Sequence, residues 1–541
     1  MRSGFYAFFL GLMCSLLLLS GCTDDYFDPS RISNDLPGWE PDLALPLVSV
    51  SLSASDLFIS NDSTGSYTDV AADGLISIVY RSTILSIGVN DLFFFPPVSF
   101  PYPMGLTDAE IATFQNNGQI SKNFTNDILF QVSPGGEELD SVRLAQGVMQ
   151  FSFTNTFNHP AQLVVTMPNV VAGGIPFSRT YPVGANSTVS DQIDLTGYAM
   201  DLSATVNGFN QLRVRYDLNL THSGGSTNTS QQMISTQSFT DMRFSHVYGY
   251  FAQQLIPVPM DTVSIDLFNN AIQGNVHFVD PKFSLTVNNS FGVPMGLSLD
   301  QLSGWSNFTG AFPFNQTVIN GVEPIGAPGI GQIGQSVSTT FTFDRNSSNI
   351  DQLLDQRIGN IVYQLSAQMN PAGHAFNFAT DQSRVEVVAD MEVPLWGRAT
   401  GFVIQDTIPF PESDFLADKV SEGMIRVGTV NGFPADATIQ LIFLDENGHA
   451  TDSLQQTPLQ TVIRSGTVGS NGRVTSPTET KIDFPVPAEK VRNVFGCKTM
   501  VIRASMNTTD GGTTDIKFYS DYRLDLRLSI QVKMRLNPNG F

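Results

Sequence analysis

The chain has 541 residues, 41% hydrophobic and 14% charged, with 45 Gly, 30 Pro and a formal net charge of −22. That length holds three or four domains, and the apolar share supports packed cores rather than a disordered chain. The acid excess argues against a nucleic-acid partner, because phosphate binding needs basic surface, and is read as serving solubility.

The chain opens with Met1-Arg2-Ser3, a short basic start. An apolar run extends from Phe5 to Leu19, too short to span a bilayer comfortably, and ends in Leu19-Ser20-Gly21-Cys22. This pattern resembles the lipobox of bacterial lipoproteins. The resemblance implies that residues 1–21 are a signal peptide, and that Cys22 receives a diacylglycerol on its thiol and holds the protein to a membrane. Asp24 and Asp25 behind the anchor, with Asp28 close by, resemble the surface-export signal of Bacteroidota outer-membrane lipoproteins. That implies an outer-membrane, cell-surface address. Bacteroidota also glycosylate exported proteins at Asp-Ser/Thr followed by an apolar residue or Thr. Ser63, Ser141, Thr262, Thr407 and Ser453 have that context and are candidate O-glycosylation sites. With Cys14 removed and Cys22 acylated, Cys497 is left alone, so no internal disulfide is expected. Its apolar neighbours suggest a buried structural thiol.

Residues 22–41 are polar and Pro-containing, a tether. Residues 42–136 form an N-terminal β region expected to complete or cap the rest of the array. Within it Thr107 and Glu110 make a capping box for a short helix near 108–115. Three repeats are then expected, at 137–258, 259–410 and 411–541. Each has an Asn-x-Phe corner with Pro beyond it: Asn155 and Phe157, Asn289 and Phe291, Asn431 and Phe433. Asn tolerates the turn, Phe plugs the core and Pro ends hydrogen bonding at an edge. Each repeat also has an alternating strand marked by an aspartate: Asp241, Asp390 and Asp521. In the last, Tyr522 to Leu536 alternates apolar and polar residues throughout, as a half-buried strand does. These Asp positions are expected to be equivalent, and each strand to complete one unit and lead into the next.

Clean alternation predicts an all-β fold of tandem antiparallel, Ig-like sandwiches in an elongated array with few short helices. A closed outer-membrane barrel is the weaker alternative, since Pro538-Asn539-Gly540 interrupts the strand before the terminal Phe541.

No metal, nucleophile or cofactor constellation can be assembled. The histidines are scattered at 159, 222, 246, 277, 374 and 449, and none falls in a zinc motif. Gly329-Ile-Gly331-Gln-Ile-Gly334 matches a dinucleotide fingerprint but lacks the strand before and helix after it. Trp305 and Trp396 could stack on sugar rings, although core packing is the plainer role. The expected function is therefore non-enzymatic binding or scaffolding with protein partners in the envelope, without cofactor. A glycan-binding accessory of a nutrient importer and a lipid-carrying β protein are the alternatives.

Overall fold

A computed structural model describes residues 42–54, 66–92, 96–132, 135–205, 208–265, 271–409, 420–453, 460–490 and 497–534. Cys22, Ser63, the signal, the tether and Phe541 lie outside these residues. The fold is all-β, built of two-layer antiparallel sandwiches with few short helices. Among the described residues the sheets have open strand orders, not the cyclic order of a barrel.

The Asn-x-Phe corners generate this architecture. Asn155 ends strand Glu138–Asn155, Asn289 ends Lys282–Asn289 and Asn431 ends Val420–Asn431. In each, the backbone N–H two residues on, at Phe157, Phe291 or Phe433, donates to the Asn Oδ1 at 2.9 Å. Each Nδ2 donates to the carbonyl four residues on and to a distant carbonyl, at Gly184, Gly326 or Arg464. All three Asn side chains are buried, and the three Phe rings fill the core beside them. A buried amide is tolerated because its hydrogen-bonding groups are paired. The corner moves the chain from one layer to the other, into Ala161–Ala172, Met295–Ser306 or Ala435–Leu444.

The first layer has one strand order in all three units. The corner strand lies between a third strand (Ser187–Asp194, Val337–Phe343 or Thr478–Pro487) and a closing strand. The closing strands are Gln232–Tyr250, Arg384–Pro394 and Arg523–Met534. Beyond each closing strand lies a strand from the N-terminal region. Val98–Gly105 pairs with Gln232–Tyr250, Ile76–Gly88 with Arg384–Pro394, and Asp42–Ser53 with Arg523–Met534. Residues 42–136 thus complete the array by being dealt out among all three units. They run from the third unit to the first, where helix Asp108–Asn117, whose Thr107–Glu110 capping box is formed, links that unit's first layer to its second.

The second layer also has one plan throughout. Gln211–Thr221, Asn360–Met369 and Thr499–Thr508 pair with the strands that leave the corners. Outside them lie the segments that enter each unit: Gln119–Leu129, then Leu255–Pro257 with Asp261–Ser264, then Trp396–Pro409. The strand Arg384–Pro394 therefore closes the second unit and passes directly into the third. The units also interlock, because Asn377–Thr380 pairs with Gln232–Tyr250 and Ala271–Phe278 pairs with Trp396–Pro409. Phe151, Phe153, Phe283 and Phe343 stand between the layers, each worth about 1.5–3 kcal/mol when buried.

The expected equivalence of the aspartates is wrong. The corner residues Asn155, Asn289 and Asn431 face Met233, Val385 and Leu524. Relative to those, Asp241 lies eight residues later, Asp390 five later and Asp521 three earlier. Each carboxylate does a different local job. Asp241 sits at an irregularity in its strand with φ of 54°, Asp390 pairs with Arg81 across the sheet, and Asp521 pairs with Arg473 from a turn. Short polar side chains that solve separate local problems can produce a false sequence register.

Candidate functional site

Strand Gln232–Tyr250 carries small and polar residues on its open face over most of its length. At its end this face turns aromatic, with His246, Tyr248 and Tyr250 at every second position. The loop before Asn377–Thr380, from the second unit, brings His374 and Phe376 against them. The His246 and Tyr248 rings lie 6.4 Å apart at 14°, and Tyr248 and Phe376 lie 6.4 Å apart at 20°. The Tyr250 ring stacks on His374 at 4.2 Å. Phe376 is 57% exposed, and the His374 side chain 64%.

A β-bulge supplies the polar rim. Tyr248 faces Ser141 and Gly249 faces Leu139, so Asp140 is the extra residue of its strand. Gly249 is required here: its φ is +144°, and an added Cβ would lie 2.2 Å from the Glu138 carbonyl oxygen. Glu138 faces Tyr250, and its Oε2 is 3.1 Å from Nε2 of His374. Burial, followed by the charges of Asp201 and Glu138, raises the Asp140 carboxyl above its usual range. The result is a row of five rings at the junction of two units, edged by Glu138, Asp140, Ser141 and Asp201.

The junction is held from beneath. Asn370 and Asn377 exchange amide hydrogen bonds of 2.9 and 3.0 Å. Asn370 Nδ2 also donates to the Ala252 carbonyl, and Phe251 N–H donates to Asn377 Oδ1. Both amides are buried, so the loop carrying His374 and Phe376 is fixed at its two ends against the first unit.

The residues singled out in the sequence mostly lie elsewhere. Trp396 lies under Lys517, whose Nζ is 4.4 Å from its ring, and Trp305 is exposed near one hairpin end. Ser141 stands beside the aromatic row. Thr262 and Thr407 are exposed on strands, and Ser453 is half-buried. Residues 329–334 form a loop around a short 3-10 turn between two strands. Cys497 is buried, with Thr451 Oγ1 2.8 Å from its sulfur.

The histidines are less scattered than their numbering suggests. His159 and His222 lie 4.7 Å apart against Phe114. His159 Nδ1 accepts from Ser223 N–H, and Nε2 bonds Thr227 at 2.9 Å, so both ring nitrogens are engaged. Burial, then the neighbouring His222, holds His159 below the usual histidine range. Among the described residues no three His, Cys, Asp or Glu side chains gather as a metal site. No helix among them is long and apolar enough to cross a membrane.

No family model and no curated protein matches the chain. Solved structures align with it only loosely. A candidate secreted protein of Parabacteroides distasonis aligns over 53% of this chain and 89% of its own, at 13% identity and a TM-score of 0.27. A triple jelly-roll protein of an archaeal virus aligns over 80% and 95%, at 12% identity and 0.09. VP2 of infectious bursal disease virus aligns over 88% and 82%, at 7% identity and 0.12. Superpositions this loose carry no argument about fold or function.

Proposed function

We propose that this chain is a lipid-anchored binding protein of the bacterial outer membrane, without catalytic activity, exposed at the cell surface and working beside protein partners of the envelope. Acylated Cys22 is its membrane attachment. One observation carries the reading: the first described strand, starting at Asp42, lies beside the last, where Asp42 faces Lys533. Both described ends therefore belong to the third unit. A tether entering there leaves the first unit, and the aromatic row at its junction with the second, far along the chain path from the membrane. An arrangement of this kind suits display of a binding surface.

The test has two arms. Metabolic labelling with a fatty acid should mark the wild type and not Cys22→Ala, and the variant should leave the membrane fraction. Protease added to intact cells should cut the wild type. Full protection of an acylated protein would refute surface exposure, and unlabelled, soluble wild type would refute the anchor.

A further inference from the structure

We propose that the row formed by His246, Tyr248, Tyr250, His374 and Phe376 is a carbohydrate-binding site for an oligosaccharide without acidic groups. This deepens the reading of the chain as a binding protein and names the ligand class of the site described above.

A pyranose ring has an apolar face of C–H groups and an edge of hydroxyls. It needs a flat aromatic surface with hydrogen-bonding groups around it, as an amphipathic ligand generally does. Phe376 and His374 each lie against a tyrosine of the strand, yet stay largely open to solvent, so part of each ring is free to meet a ligand. Along the junction, the Tyr248 ring lies 6.4 Å from, and within 20° of, both the His246 and the Phe376 rings, so the three are aligned as a row and not gathered in a single anchoring pocket. Such a row suits a chain of repeated rings.

The rim selects among sugars. Carboxylates accept hydrogen bonds from hydroxyls and from amines. Glu138 faces Tyr250 and is part exposed beside His374, Asp140 follows two residues on in the same bulged strand, and Asp201 lies opposite Ser141 on the neighbouring strand, so three acids stand along one side of the row. Arg143 faces His246 across the strands and is the nearest base in the register. A uronate or sulfated chain would meet like charge over most of the rim, whereas a neutral or amine-bearing chain would not. Rigidity supports the same use. Gly249 and the bulge fix the strand side of the row, and the Asn370–Asn377 pair fixes the loop side, so little ordering is needed on binding.

The test uses the acylated protein in detergent micelles, so binding is measured independently of where the protein sits in the cell. Native affinity electrophoresis and titration calorimetry would use cello-, manno- and chito-oligosaccharides, their polymers, and polygalacturonate. At least one neutral or amino-sugar series should retard the protein, and polygalacturonate should not. Phe376→Ala removes an exposed ring without opening the core, and should weaken binding roughly three- to tenfold, the range expected for one aromatic contact. Tyr248→Ala should act in the same direction, and Trp305→Ala should leave binding unchanged. Thermal unfolding of each variant should match the wild type. The proposal is overturned if no neutral or amino-sugar series binds at millimolar concentration. Binding that Phe376→Ala and Tyr248→Ala both leave unchanged, or preferential binding of polygalacturonate, would also overturn it. None of these results bears on acylation of Cys22 or exposure to protease, which are measured separately.

Discussion

Asn289→Ala tests the corner directly. The Asn289 side chain is fully buried. It accepts from Phe291 N–H at 2.9 Å and donates to the Gly326 carbonyl at 3.0 Å, with a longer 3.4 Å contact to the Val293 carbonyl. Alanine leaves the buried Phe291 N–H and the part-buried Gly326 carbonyl without these partners. At about 1–3 kcal/mol each, the expected loss is roughly 2–6 kcal/mol, enough to remove much of a domain's stability. Asn289→Asp keeps the acceptor but loses both donor bonds and buries a charge, so it should be worse. Asn288→Ala, one residue earlier on the open face, loses only an exposed hydrogen bond from Ser338 Oγ and is the control, expected to cost no more than about 1 kcal/mol. Urea titration monitored by circular dichroism and tyrosine fluorescence would measure all three. A midpoint for Asn289→Ala indistinguishable from that of Asn288→Ala would refute the claim that the amide holds the corner.

The same structure sets other expected outcomes. Deleting residues 42–53 uncovers the edge of Arg523–Met534, so the truncated protein should self-associate; a monomer by light scattering with unchanged melting would contradict the pairing. Asn377→Ala unpairs Asn370 and Phe251 N–H, and should split the calorimetric transition as the first and second units uncouple; a single unshifted peak would contradict the coupling. For His159, whose folded pKa is lowered, the unfolded chain takes up the proton first. Its contribution is therefore intact above about pH 6.5 and is lost as pH falls below that value towards the folded pKa. Urea midpoints at pH 7.5 and 5.5 should differ less in His159→Gln than in wild type, and an equal difference would reject the assignment.

The parts of the fold that were legible in the sequence rest on short-range chemistry. Asn155, Asn289 and Asn431 reach the amide two residues on and the carbonyl four residues on, so the turn and its buried plug are written in a few adjacent residues. The Thr107–Glu110 cap is local in the same way. Alternation marked the strands, but it carries no information about which distant strand lies alongside. That is why the partners of Asp42–Ser53, Ile76–Gly88 and Val98–Gly105 were invisible. The aromatic row failed to appear for a related reason. His246, Tyr248 and Tyr250 do stand out as rings on the polar side of one strand, yet His374 and Phe376 join them only through the fold. The tryptophans are the largest rings in the sequence, but Lys517 covers Trp396 and Trp305 stands apart from the row.

The threading of residues 42–105 through three units also fixes an order of assembly. During synthesis the partner of Val98–Gly105 emerges first, that of Ile76–Gly88 next, and that of Asp42–Ser53 last of all. The earliest described strand is thus the latest to find its mate, and the closures nest inside one another like brackets. Until the final strand is released, Asp42–Ser53 has no native partner and must be kept from wrong ones. Contacts this distant in sequence close slowly. Release of all three partners before folding would bring them to the same place at once, and would turn this delay from a hazard into a checkpoint: only a chain that already includes Arg523–Met534 can close its last bracket.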